Sequence, residues 1–250
     1  MQLPSFTLSP DCLRGRNILV TGSTSGLGRS LALACANAGA TVILSGRSMA
    51  KLERVYDVIE NMGAPQAAIA PLDLATAAAP DYDHLAETIS TEFGVLDGLI
   101  HCAALLGDRA PLEQYDIPTW CRVLHVNLTA PLILTQVLLP YLRKSASASV
   151  LFVSSGVAQN PRPFWGAYAV SKAGLESVRS MLYQELASIS NVRVNSVSPG
   201  RLRTPMRAAA YPAEDPNTLP TPESVADAFL YLLCDASRAV SGQNVDLASG

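Results

Sequence analysis

The feature that most constrains this chain is an alternation of apolar runs with amphipathic stretches. NILVTG (17–22), TVILSG (41–46), QAAIAPLD (66–73) and LDGLIHCAA (96–104) read as strands, as do SVLFVSS (149–155), VRVNSVSPG (192–200) and NVDLA (244–248). Between them lie helical patterns such as GLGRSLALACANAG, SMAKLERVYDVIENMG and WGAYAVSKAGLESVRSMLYQELA. PTWCRVLHVNLTAPLILTQVLLPYLRKS reads as one long helix. Strands that are apolar throughout must be buried on both faces, and helices joining them make the sheet parallel. The expected fold is α/β, a doubly wound parallel sheet of seven strands with helices on both faces. No linker, repeat or compositional break divides the chain, so residues 1–250 are expected to form a single Rossmann domain.

The turn after the first strand narrows the function. VTGSTSGLGRS places Gly22, Gly26 and Gly28 between a strand and the first helix. Glycines let a backbone turn tightly and approach a pyrophosphate, and a helix N-terminus offers free N–H groups and a positive dipole end. A dinucleotide is the ligand that fits.

Further along, YAVSK sets Tyr168 and Lys172 four apart, one helical turn on one face. A phenol ionises near pH 10, and bringing it to about 7 requires roughly 4 kcal/mol. One ammonium about 4 Å away supplies an interaction of that size at an effective dielectric near 20. Ser155 ends the strand SVLFVSS, where a doubly wound sheet exposes residues to its ligand crevice, while alternation sends Ser154 to the other side.

Composition excludes several alternatives. With 49% apolar and 16% charged residues the chain is globular, and a net charge of −3 gives no reason to expect nucleic acid or an anionic membrane as partner. The five cysteines show no CxxC spacing and read as free thiols in a reducing compartment. MQLPSFTLSPDCLRG is not a basic start followed by an apolar run, so a cytoplasmic location is expected. No uninterrupted apolar run approaches the ~18 residues of a membrane span. His84, His101 and His125 lie scattered, and no metal is expected. A serine hydrolase of the GxSxG type is excluded because that motif does not occur.

These residues, with others in fixed order, resemble the short-chain dehydrogenase/reductase family along nearly the whole chain. The matching elements are TGSTSGLG (21–28), Asp73, Asn127, Ser155, YAVSK, SPGRLRT (198–204) and SGQNVDLASG (241–250). LLGDRAPLEQYD (105–116), QNPRPFWGA (159–167) and the short proline-rich segment after RLRT further resemble a bacterial branch of the YciK type, which carries no substrate label.

The resemblance implies a cofactor cradle at Gly22, Ser23, Thr24, Ser25, Gly26, Leu27 and Gly28. Asp73 and Leu74 would contact adenine, and Cys102, Ala103, Ala104, Pro199, Gly200, Leu202 and Thr204 would line the rest, Thr204 at the carboxamide. NAD-preferring members carry a carboxylate after the second strand. This chain has Gly46 and then Arg47, flanked by Ser45 and Ser48, so NADP(H) is expected.

By the same resemblance, Ser155 polarises a substrate carbonyl, Tyr168 is the general acid/base, Lys172 holds the nicotinamide ribose and Asn127 holds a relay water. The expected activity interconverts a carbonyl (aldehyde, ketone or 3-oxoacyl group) and an alcohol. The alternative is a non-catalytic NADP-binding sensor or scaffold, favoured only by HCAA (101–104) standing where the family has NNAG.

Residues 203–222 would cover the substrate. Leu105, Leu106, Phe164, Trp165 and Met206 are candidates for an apolar lining, and Arg162, Arg203 and Arg207 for an anion site. Helices 118–143 and 165–188 are expected to carry a homodimer or homotetramer.

Overall fold

Each apolar run becomes a parallel strand in the computed structural model, which describes residues 1–248; Ser249 and Gly250, which end SGQNVDLASG, lie outside the described residues. The strands are β1 (Asn17–Thr21), β2 (Thr41–Gly46), β3 (Ala68–Pro71), β4 (Gly98–His101), β5 (Ser149–Val153), β6 (Arg193–Ser198) and β7 (Asn244–Asp246). They pair in the order β3-β2-β1-β4-β5-β6-β7, all parallel, so the winding reverses between β1 and β4. The helices are α1 (Gly26–Asn37), α2 (Met49–Asn61), α3 (Ala79–Glu92), α4 (Ile117–Leu124), α5 (Ala130–Leu142), α6 (Gly166–Leu186), α7 (Pro205–Ala210) and α8 (Ala226–Leu233).

Alternate residues of one strand feed two cores. Ile18 and Val20 join Leu31, Leu44 and Phe229 on one face, whereas Leu19 joins Leu99, Leu134, Phe152 and Leu175 on the other. Two-sided burial explains why the strands read as continuous apolar runs. Several runs extend beyond their strands: Asp73, Ala103, Ser155 and Gly200 leave the ladder at its carboxyl edge. There the chain turns into loops.

The long helix expected over PTWCRVLHVNLTAPLILTQVLLPYLRKS is interrupted. A π-helical turn, His125–Thr129, separates α4 from α5. Pro131 has no N–H to give to the Asn127 carbonyl, and the register slips there. By length and composition Ile117–Leu142 qualifies as a membrane span, unlike any uninterrupted apolar run in the sequence. Its inner side, including Val126, Leu134, Leu138 and Leu142, is packed in the second core.

Candidate active site

The loops at the carboxyl edge enclose a cleft of about 850 Å³ over the point where the winding reverses. Its floor is backbone. Gly22 has φ +67°, and a Cβ there would meet the Ala103 Cα at 2.8 Å. A Cβ on Gly28 would collide with the Gly22 carbonyl. Ser25 caps α1 without a side-chain hydrogen bond, and the first turn of α1 holds no acidic residue. Its N–H groups and dipole are therefore free for an anion. A dinucleotide pyrophosphate fits this cradle.

At one end of the cleft, after the paired strands β2 and β3, stand Arg47, Ser48 and Lys51 with Asp73 and Leu74. Arg47 and Lys51 are exposed and form no ion pair among the described residues. The Asp73 carboxylate is occupied by the Ala75 N–H (3.0 Å). Such an end suits a phosphate, though Lys51 gave no signal in the sequence beyond being a charge on a helix.

Tyr168 and Lys172 emerge from the first turns of α6, both buried, and Ser155 faces them from the end of β5. The Ser155 side chain lies near enough to the Tyr168 phenol to lower its pKa. Lys172 Nζ donates to the Val153 carbonyl at 2.7 Å and sits 5.7 Å from the Tyr168 ring centre. Burial pushes the phenol up to about 12, against the downward pull of Ser155. Burial likewise lowers Lys172 to about 8. Desolvation of the ring is the largest influence on the phenol. Ser154 also borders the cleft rather than lying on the far side; it is nearly fully buried and its hydroxyl has no partner.

Three expected site residues lie outside the lining. Ser23 is fully buried and its hydroxyl donates to the Ser45 carbonyl (3.2 Å), because the turn points it into the sheet. Phe164 is half exposed, placed there by a backbone φ of +68°. Asn127 is buried behind the cleft. Its Nδ2 donates to the Leu105 carbonyl (2.9 Å) and Ser171 Oγ (3.0 Å), and its Oδ1 accepts from the Leu105 N–H (2.7 Å). The side chain braces the loop after β4, and its main-chain carbonyl lacks the α-helical donor that Pro131 cannot supply.

The remaining expected residues, Thr24, Ser25, Gly26, Leu27, Cys102, Ala103, Ala104, Pro199, Gly200, Leu202, Thr204, Trp165 and Met206, all border the cleft. Of the three arginines considered for an anion, Arg203 is not in the lining and its Nη2 reaches the Leu219 carbonyl at 3.5 Å. Arg207 is doubly paired with Glu214, at 2.5 and 2.6 Å. Arg207 is thus already neutralised by a carboxylate.

The HCAA departure is compensated from β1. Thr21 Oγ1 accepts from the Cys102 and Ala103 N–H groups (3.1 and 3.2 Å) and donates to the Ile100 carbonyl (3.3 Å). His101 turns away from the cleft, stacks on Phe152 and pairs through Nε2 with Thr135 Oγ1 (2.8 Å). That hydroxyl already donates to the Pro131 carbonyl, so Nε2 carries the proton. Burial lowers His101 to about 3, and it stays neutral.

A doubly wound sheet with a glycine cradle at its reversal and a Ser–Tyr–Lys set beside it defines a dinucleotide-binding protein. The short chain dehydrogenase family model matches residues 16–215. The chain belongs to that family, and with it to the oxidoreductases. It is 41% identical over 240 residues to the uncharacterized oxidoreductase YciK of Escherichia coli K12, covering 96% of this chain and 94% of that protein. A short chain dehydrogenase from Pseudomonas syringae, so described provisionally, matches with a TM-score of 0.95 and 43% identity, covering 98% of this chain and 99% of its own. A Shigella flexneri relative solved in complex with NADP has a TM-score of 0.93 and 40% identity, over 97% of this chain and 100% of that one.

Proposed function

We propose that this chain is an NADP(H)-dependent oxidoreductase interconverting a carbonyl and an alcohol, with Tyr168 as general acid/base. The observation that carries the reading is the meeting of Ser155, Tyr168 and Lys172 on one wall of a cleft whose other end holds the unpaired cations Arg47 and Lys51. A bound nicotinamide supplies or accepts the hydride.

The chain's own residues handle the oxygen and the proton. A substrate carbonyl oxygen beside Ser155 and Tyr168 accepts hydrogen bonds from both hydroxyls, which stabilise the charge that develops there. Tyr168 then gives its proton to that oxygen and completes the alcohol. A phenol held near 12 is fully protonated at neutral pH, as a donor for carbonyl reduction must be. Oxidation needs the reverse transfer, and positive charge added to this buried site favours it. Lys172, fixed on Val153, would hold the nicotinamide ribose, and Asn127 would hold a water that restores the proton.

Arg47 and Lys51 favour a 2′-phosphate, which a guanidinium and an ammonium bind strongly. Exposed apolar residues Ile117, Leu132, Val170 and Met181 on α4, α5 and α6 support self-association as part of the same reading.

Titration with NADPH and NADH tests the cofactor. NADPH is expected to bind at least about tenfold more tightly, and Arg47→Asp to remove most of that preference. Equal affinity for the two in the unaltered chain would reject the assignment.

A further inference from the structure

A stack of side chains closes the cleft beyond Tyr168. The Trp165 ring lies 5.6 Å from that of Tyr168 and 6.1 Å from that of Tyr211, just after α7. The Arg109 guanidinium sits over the last two rings, 4.3 Å from Trp165 and 5.1 Å from Tyr211. Its Nε donates to the Phe164 carbonyl (3.1 Å) and its Nη1 to the Ala210 carbonyl (3.2 Å). One side chain thus joins the loop after β4, the turn into α6 and the end of α7. Phe164, the sole non-glycine residue with positive φ among the described residues, is the one whose carbonyl Arg109 holds. A left-handed backbone at a bulky residue persists only where its surroundings fix it.

The hinges of this clasp are wedged from below. A Cβ at Gly107 or Gly166 would run into Tyr115, whose hydroxyl accepts from the Asp108 N–H at 3.0 Å. Inside the clasp the wall is Leu106, Val157, Met206 and Ala210 with the rings of Trp165 and Tyr211. Its two cations are already engaged, Arg109 by main-chain carbonyls and Arg207 by Glu214 while it packs 3.8 Å from the Tyr211 ring. Arg162 and Arg201 border the cleft but are exposed, where water competes for any anion.

We infer that this chamber takes an uncharged apolar ligand, under the proposed function an aryl or branched-alkyl carbonyl compound, and that Arg109 is the positioning residue holding its roof. Arg109 is not itself in the lining and acts through Trp165 and Tyr211. An anionic ligand would have to draw Arg207 from Glu214 or bring its own charge against the Glu214 carboxylate, which also borders the cleft.

The probes are 4-nitrobenzaldehyde and 4-carboxybenzaldehyde, which are alike in size and differ by one negative charge. Binding is read without turnover, from Trp165 emission in a Trp120→Phe background, since the chain has 2 tryptophans. The uncharged aldehyde is expected to bind at least about tenfold more tightly. Arg109→Ala should weaken its binding and raise its KM about tenfold, shift Trp165 emission to the red, and change kcat far less. NADPH affinity should stay within about twofold, because the cradle is remote from Arg109. Arg109→Lys should recover part of the loss, since it keeps a cation over the rings without the fork.

Equal or tighter binding of the carboxylate, or an Arg109→Ala chain with unchanged binding and Trp165 emission, would overturn the inference. Charge selection that stands while neither aldehyde consumes NADPH would instead reject carbonyl reduction and leave the chamber as described.

Discussion

The two edges of the sheet each bury a cation, and they treat it in opposite ways. At the amino edge Arg193 extends from β6 into the end of α8. Its Nη1 and Nη2 donate to the carbonyls of Leu232, Leu233, Cys234 and Ser237 and to Ser237 Oγ, at 2.6 to 3.3 Å. Arg16 adds bonds to Ser147, Leu233 and Asp235 nearby. At the carboxyl edge Lys172 has one carbonyl, that of Val153, beside an unpartnered Ser154 hydroxyl and an uncapped α1. The first edge satisfies most of its polar groups internally, Arg193 Nε and Ser147 Oγ excepted, and stabilises the fold. The second leaves them open, which costs stability and keeps a place for ligand groups.

Breaking the sealed edge should have the larger effect on stability. Arg193→Met removes five hydrogen bonds to the end of α8, leaving Leu232 with Ser149 and Leu233 with Arg16 as donors, and should lower the unfolding free energy by about 3 kcal/mol in urea denaturation. A loss below about 1 kcal/mol would show that the amino edge is not what holds α8 in place.

Burial opposes the charge at both edges, lowering Arg193 to about 10 as well, but at the open edge a single carbonyl compensates it and the sign should reverse. Lys172 is held near 8 in the folded chain against 10.5 unfolded, so burying its charge opposes folding. Lys172→Met should raise stability by about 2 kcal/mol at neutral pH, after the loss of the Val153 hydrogen bond, while abolishing turnover. The cost of the buried charge is fully present below pH 8 and shrinks as pH climbs toward 10.5. The advantage of the variant over the parent chain should therefore fade across that window. A gain that persists unchanged above it would remove the electrostatic explanation.

Much of this architecture was legible in the sequence because local pattern dictates it. Two-sided burial writes itself as apolar runs, the glycine cradle as spacing, and the acid–base set as Tyr168, Lys172 and a serine at a strand end. What motifs do not encode is the direction of each side chain. Ser23 belongs to the cradle by sequence yet faces Ser45, and Phe164 sits in the substrate segment yet faces outward. The break between α4 and α5 was hidden because Pro131 acts on a carbonyl four residues earlier, inside an otherwise helical pattern.

The clasp was invisible for a further reason. Arg109 meets partners 55 and 101 residues away, so no window of sequence contains it. Thr21, which replaces the missing asparagines as a brace, likewise acquires its role from the neighbouring strand.

The sequence places an ammonium near the key phenol but does not show how deeply the ring is buried. Burial is the largest influence on Tyr168 and favours its protonated form.

The most direct test of that donor is NADPH consumption across a panel of uncharged aldehydes and ketones by the parent chain and by Tyr168→Phe, with NADPH binding measured in parallel. Turnover by the parent chain, falling at least about a thousandfold in the variant while NADPH affinity changes less than about twofold, is the predicted result. A variant that reduces the same compounds at rates near those of the parent would contradict the account, because the proton would then come from somewhere other than this ring.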